Sequence, residues 1–251
     1  MATIVMAHGA FCGGWAFEAF RAPFEARGWT VAAPDLRGHG DRAASEGVVG
    51  VSMADYATDL AAACRAAGDR VVLVGHSMGG LAGQMAAAKV ELAALVLLAP
   101  SAPWGIVGAS MEEAVTAFGV QMMGPFSSGS LAPDRTLMAH HCLDRMAPAD
   151  REAVLARLGP ESGRAVREAL TWWFDPFMTT RVVRTGCPVL AVAGQRDVVH
   201  PPATVRLTAA ALGAAYVEMP GMSHWLIGEP GWEDVASSVI DWLDERLSVA
   251  A

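Results

Sequence analysis

One stretch, Gly75-His76-Ser77-Met78-Gly79-Gly80, limits the possible folds more than any other part of the chain. It follows an apolar run, Arg70 to Val74, and opens into Leu81 to Lys89, a segment of good helix formers. A glycine-flanked serine between a buried strand and an Ala-rich helix belongs on a sharp strand-to-helix turn. Gly75 and Gly79 suit that turn because a Cβ at either place would clash where the two backbones close up. The Ser77 hydroxyl is then expected at a helix N-terminus, where free N–H groups and the helix dipole favour developing negative charge. A chemically idle β-to-α turn would need the same glycines. The distinction rests on whether the rest of the chain supplies partners for the serine.

At 251 residues the chain suits one α/β domain with an insertion, large enough to bury roughly three quarters of its unfolded surface. Hydrophobic residues make up 53% and charged residues 18%, which argues against disorder. The net charge of −8, with no basic cluster, argues against nucleic acid or an anionic membrane as partner. Cys12, Cys64, Cys142 and Cys187 are widely separated and show no metal or redox spacing, so free thiols in a reducing compartment are expected. His140 and His141 are adjacent and would diverge on a helix, so no metal site is expected there. The longest apolar stretches, such as Leu92 to Pro100, have strand length and cannot span a membrane. The N-terminus lacks a basic segment and reads as a first strand, not a signal peptide. The expectation is a soluble, cytoplasmic protein.

Thr3 to Ala7 reads as a buried strand ending in His8-Gly9-Ala10-Phe11. Gly9 allows a close turn, and the Ala10 N–H could pair with that of Met78 to hold an oxyanion. Trp15 to Arg27 reads as one amphipathic helix closed by Gly28, and Trp29 to Ala33 as the next strand. In Asp35-Leu36-Arg37-Gly38-His39-Gly40, Asp35 and Arg37 are expected to hold a turn by charge-assisted hydrogen bonds. A polar loop covers 41–52, and a helix runs from Met53 to Ala67 with Tyr56, Leu60 and Cys64 on one face. After the strand Leu92 to Ala99, residues 101–185 change character. Prolines and glycines scatter, methionines and tryptophans gather, and helical stretches appear at 111–123, 134–146, 149–158 and 162–174 without a competing strand pattern. This reads as a helical cap inserted into a core of residues 1–100 and 186–251. The core resumes with the strand Pro188 to Ala193, a helix Pro202 to Leu212, the strand Ala215 to Met219 and a helix Trp232 to Leu247. Continuous apolar strands separated by helices indicate a parallel sheet covered on both faces.

Acyl transfer by serine needs a base to take its proton and an acid to set that base's tautomer. In chain order Ser77 is followed by Asp197 and His224, both just past strand carboxyl ends, where sites of open parallel sheets form. His8, His39, His76 and His200 compete for the base role. His8 is better placed to brace the loop after the first strand, His76 lies inside the elbow with its side chain turned away, and His39 and His200 lack a matching strand end.

Taken together, His8-Gly9-Ala10-Phe11, Asp35 to Gly40, Gly75 to Gly80, Gly194-Gln195-Arg196-Asp197 and Gly221-Met222-Ser223-His224 resemble the α/β-hydrolase superfamily in its small, lidded esterase-like branch. The chain opens directly on the strand before the oxyanion loop. It is therefore similar to the six-stranded plant hydroxynitrile lyase and methyl-esterase group, as is its His8-Gly9-Ala10…Trp15 opening. The resemblance implies Ser77, Asp197 and His224 as catalytic residues, with the N–H groups of Ala10 and Met78 as the oxyanion hole. Dehalogenases and epoxide hydrolases carry aspartate at the Ser77 position, and the lyases carry lysine after the histidine, where Trp225 stands, and threonine where Gly9 stands. C–C hydrolases of the meta-cleavage type usually have asparagine in place of His76.

What remains is a serine hydrolase acting on a carboxylic ester of a small to medium hydrophobic substrate. C–C hydrolysis, lactone hydrolysis and a receptor-like binding protein remain alternatives on the same residues. Phe11, Trp104, Met122, Trp172, Trp173 and Trp225 are the candidate pocket residues. No cofactor or metal is implied, and monomer and homo-oligomer both stay open.

Overall fold

The computed structural model describes residues 3–108, 129–170 and 175–248. From the N-terminus, strand β1 (Thr3–Ala7) leads through helix α1 (Ala22–Ala26) to β2 (Thr30–Ala32). Helix α2 (Met53–Ala67), strand β3 (Val71–His76), helix α3 (Met78–Ala86) and strand β4 (Ala94–Leu98) follow. The chain then leaves the sheet through β5 (Ser130–Leu131), α4 (Pro148–Arg157), β6 (Glu161–Ser162) and α5 (Gly163–Leu170). It returns with β7 (Val189–Gly194), α6 (Pro202–Leu212), β8 (Ala215–Met219) and α7 (Trp232–Ser248).

Six strands form one parallel sheet in the order β2-β1-β3-β4-β7-β8, with Val5 beside Leu73, Leu73 beside Leu95, and Leu97 beside Ala191. Alternate residues of each strand face opposite ways, so the sheet feeds two cores. Ile4, Met6, Val72, Val74, Val96 and Leu98 pack with Phe20, Phe24, Ile240 and Leu243. Val5, Leu73, Leu95 and Leu97 pack with Tyr56, Leu60, Leu81 and Val205 on the other face. Each fully buried Leu or Phe is worth about 1.5–3 kcal/mol over an exposed one, so the central strands carry much of the driving force. The chain steps from β1 outward to β2 and then back across to β3. That reversal opens a crevice at the carboxyl ends of β1 and β3, where the loop at His8 and the turn at Ser77 meet.

The helix expected over Trp15 to Arg27 is two pieces, a 3-10 turn at Gly14–Phe17 and the short α1. Pro23 stands in the first turn of α1; proline has no N–H to give and is tolerated only there, so the two pieces cannot merge. The loop 41–52 contains a 3-10 turn, Gly40–Ala44. In the stretch expected to be helical over 134–146, a turn of helix at Arg135–Leu137 runs into a π-helical turn, Met138–Cys142. Residues 101–185 were expected to lack strands, yet β5 and β6 pair antiparallel. Two residues per strand are too few to show a period of two. The expected helix at 111–123 lies outside the described residues, and that at 162–174 is described as Gly163–Leu170. Among the described residues no helix is long and apolar enough to cross a membrane, and no cluster of His, Cys, Asp and Glu could hold a metal.

Candidate active site

Ser77 lies between β3 and α3 with φ 54° and ψ −124°, a left-handed conformation that L-residues adopt only under constraint. Two glycines make the turn possible. A Cβ on Gly75 would come 2.5 Å from the Gly79 carbonyl oxygen, and one on Gly79 would overlap the carbonyl oxygens of Ala7 and His8. The elbow therefore presses directly on the end of β1. The Ser77 N–H donates to Leu98 O at 3.0 Å, and Ser77 O accepts from Gly80 and Ser101. The backbone is tied on both sides while the hydroxyl stays clear of it.

Asp197 and His224 reach the same point from the loops after β7 and β8. His224 Nε2 lies 3.1 Å from Ser77 Oγ, and its Nδ1 lies 2.9 Å from Asp197 Oδ2. Asp197 Oδ1 accepts the N–H groups of Val199 and His200 at 2.8 and 2.9 Å. Burial alone would raise the Asp197 carboxyl. The His224 imidazole and these hydrogen bonds outweigh it and hold the group below the ordinary carboxylate range. With Asp197 ionised and accepting, the proton of His224 sits on Nδ1, leaving Nε2 as an acceptor toward the serine hydroxyl. The loop carrying His224 is braced by Glu229, which accepts the Ser223 N–H at 2.6 Å.

The other histidines have separate tasks. His76 Nε2–H donates to the His224 carbonyl at 2.9 Å, with the two rings 5.0 Å apart. His200 was set aside in the sequence for want of a strand end, yet its ring stands 5.2 Å from that of His224 and its Nε2 meets Ser101 Oγ at 2.9 Å. The Asp-x-x-His spacing, in which an Asp caps the amide three residues on, was the available signal. Burial, followed by the charge that His224 acquires on protonation, pushes both His76 and His200 down to about 3, so both flank the His224 ring as neutral rings. His8 accepts the Leu36 N–H on Nε2 at 3.1 Å and donates from Nδ1 to Gly9 O at 2.9 Å. Asp35 accepts from the Gly14 and Asp41 amides, and Arg37 pairs with Asp55 and Asp59, both as turn-holding groups.

The loop at Gly9 to Phe11 lies against the serine: a Cβ on Gly9 would come 3.1 Å from Ser77 Cβ. Met78 opens α3, whose first N–H groups have no intrahelical acceptor. Phe11 has φ 65°, and its backbone is engaged by the segment 159–161. Trp225 is a buried core residue packed edge-on to His76 at 5.5 Å and near Trp15 at 6.5 Å. Trp104 is tied to the segment 175–180, donating from its indole to Asp175 O and from its backbone to Thr180 O. Met122, Trp172 and Trp173 lie outside the described residues. Glu161, which no motif in the sequence marks, is a fully buried carboxylate with four donors. Its partners lie more than a hundred positions away, apart from its neighbour Ser162, so no local pattern announces it.

Residues 4–237 match the alpha/beta hydrolase family. Over 115 residues the chain is 37% identical to the probable esterase PIR7A of Oryza sativa subsp. indica, an alignment that spans 43% of this chain and 43% of that protein. The chain therefore covers less than half the length of that relative. Among solved structures, the methylesterase protein MES16 from Arabidopsis superposes with a TM-score of 0.72 at 16% identity, covering 97% of this chain and 99% of that one. A thermophilic esterase from Thermogutta terrifontis does so with a TM-score of 0.72 at 24% identity, covering 98% and 90%. At these identities the likeness to the solved structures is one of fold.

Proposed function

Because the chain belongs to the α/β hydrolase family, we propose that it is a serine hydrolase cleaving a carboxylic ester of a small to medium hydrophobic substrate through an acyl-enzyme. The observation that carries this reading is the buried relay in which His224 touches both Ser77, at 3.1 Å, and Asp197, at 2.9 Å. The naming of a partial relative as an esterase agrees with it.

In this mechanism Ser77 Oγ attacks the ester carbonyl carbon as its proton passes to His224 Nε2. The carbonyl oxygen becomes an oxyanion held by the N–H groups of Met78 and Ala10; losing one such donor typically costs about 3 kcal/mol of transition-state stabilisation. Collapse of the tetrahedral species expels the alcohol, which takes the proton back from His224. Water, deprotonated by His224, then attacks the acyl-enzyme through a second oxyanion and frees Ser77. Asp197 keeps the Nδ1–H tautomer throughout and stabilises the imidazolium. Residues 101–185 act as a cap over this machinery, and their apolar content selects a neutral, hydrophobic substrate.

The test is hydrolysis of p-nitrophenyl acetate, butyrate, octanoate and laurate by wild type and Ser77→Ala. The serine variant should lose on the order of 10⁶ in kcat. Equal rates in the two proteins, or no turnover of any ester by wild type, would overturn the reading and direct attention to C–C hydrolysis or ligand binding.

A further inference from the structure

We propose that Glu161 is a positioning residue that sets the oxyanion loop, so that the catalytic site is complete only when the segment 159–162 is seated on the core. This rests on the serine hydrolase reading above, because it concerns the loop that presents the Ala10 N–H.

Two peptide planes decide where the Ala10 N–H points. The plane between Gly9 and Ala10 contains that N–H together with Gly9 O, and in a trans peptide the two point in opposite directions. His8 Nδ1–H holds Gly9 O at 2.9 Å, which fixes one end of this plane. The next plane, between Ala10 and Phe11, contains the Phe11 N–H, and that donor is held by Glu161 Oε2 at 3.2 Å. The Phe11 carbonyl is held in turn by the Gly159 N–H at 2.9 Å. Phe11 is thus clamped on both sides in a left-handed conformation, φ 65°, which an L-residue does not adopt unaided. Without the clamp the loop has a reason to relax, and relaxation would swing the Ala10 N–H.

The carboxylate is itself over-determined. Oε2 also faces His39 Nε2 at 3.0 Å, and Oε1 accepts the Tyr56 hydroxyl at 2.6 Å and the Ser162 N–H at 2.7 Å. These donors belong to the oxyanion loop, the loop after β2, helix α2 and Glu161's own segment. The segment has further anchors: Ser162 Oγ donates to Val51 O at 2.5 Å, and Arg157 pairs with Glu18 while lying over the Trp15 ring. A glutamine at 161 cannot satisfy this arrangement. Its amide presents one acceptor oxygen and one NH₂, so either the Phe11 side or the Ser162 side meets a donor instead of an acceptor.

The experiment compares wild type, Glu161→Gln and Glu168→Gln on p-nitrophenyl butyrate, with Tm measured for each. Glu168 is the control: it comes from the same insertion and caps α2 through the Met53 N–H at 2.8 Å, without touching Phe11. Glu161→Gln should lower kcat by about 10- to 100-fold with KM within about threefold, while Glu168→Gln lowers Tm and keeps the wild-type kcat. If Glu161→Gln does not fold, Glu161→Asp, which withdraws the carboxylate by one methylene, should show the same split. If neither folds, hydrogen exchange at the Phe11 amide of wild type decides: strong protection supports the clamp, and exchange at the rate of a free loop overturns it. Wild-type kcat in the folded Glu161 variant, a change in KM alone, or equal kcat losses in both variants would also overturn it. Failure of the hydrolase reading is a different result, namely wild type no more active than Ser77→Ala, and the proposal falls with it.

Discussion

His76, the residue before Ser77, donates its Nε2–H to the main-chain carbonyl of His224 at 2.9 Å, tying the elbow to the loop that carries His224. The ring is buried and held neutral, its pKa pushed down to about 3 by burial and then by the neighbouring His224, so this tie is independent of pH over the working range. His76→Phe keeps the ring's shape and removes the donor, leaving the His224 carbonyl buried without it. A stability loss of about 1–3 kcal/mol is expected, read by urea denaturation. A kcat loss of up to about 100-fold should accompany it if the base shifts relative to Ser77. A variant with wild-type kcat would show that the base loop holds its position without the elbow.

Asp197→Asn separates geometry from tautomer. Asp197 Oδ1 accepts two backbone N–H groups, from Val199 and His200, so an asparagine must place its carbonyl oxygen there. Its NH₂ then faces His224 Nδ1, which has to become an acceptor, and the imidazole proton moves to Nε2. A protonated Nε2 cannot take the proton of Ser77. The expected result is a fall of about 10⁴ in kcat with Tm nearly unchanged. A loss below about tenfold would mean that His224 keeps its tautomer by other contacts.

The parts of the fold that could be read from the chain are those whose signals are local. Helix α2 begins where Ser52 and Asp55 form a reciprocal capping box, and α6 ends at Gly213 in the left-handed conformation, both of them local signals. Ser77, Asp197 and His224 were singled out because each follows an apolar strand; the structure brings the three side chains together, and the family match agrees with the fold those strands imply. The pairing of β5 with β6 and the clamp of Glu161 on Phe11 depend on contacts across wide separations in sequence. His200 was discounted because its link to the site runs through the Asp197 turn and Ser101, not through a strand end. Local periodicity is blind to such long-range pairs.

The cysteines give an independent check on packing. All four are free thiols, and Cys12 and Cys64 are buried. Burial pushes the thiol of Cys64 up to about 11 and that of Cys142 up to about 12, and it raises Cys12 and Cys187 as well. The thiolate is the reactive form, so at pH 8 each should be a poor nucleophile. Native protein should react slowly with Ellman's reagent, and all four thiols should react at once in guanidinium. Fast native labelling of Cys12 or Cys64 would mean that the described packing opens readily.

The His39–Glu161 pair makes stability depend on pH in a direction that can be worked out. Burial works against the His39 charge, but the Glu161 carboxylate at 3.0 Å outweighs it and raises the imidazole above its ordinary value of 6.5. Burial likewise works against the Glu161 charge, and the donors of His39, Tyr56 and Ser162 hold it below its ordinary 4.5. A raised base stabilises fully below its unfolded value and loses this as pH rises through the folded one. A lowered acid stabilises above its unfolded value and loses this as pH falls through the folded one. The charged pair therefore contributes in full between about 4.5 and 6.5 and weakens above that window. Its neighbours do not blur the effect: His8, 5.0 Å away, is pushed down to about 4 by burial and stays neutral, and burial beside Glu161 raises the Tyr56 hydroxyl far above neutrality. Asp35 adds a smaller Coulomb pull in the same direction on the His39 imidazole. The Tm gap between wild type and His39→Gln should be widest near pH 6 and should narrow toward pH 9, by about 2–4 °C for each kcal/mol of pairing lost. A gap that is flat or widens with pH would show that His39 meets Glu161 as a neutral donor.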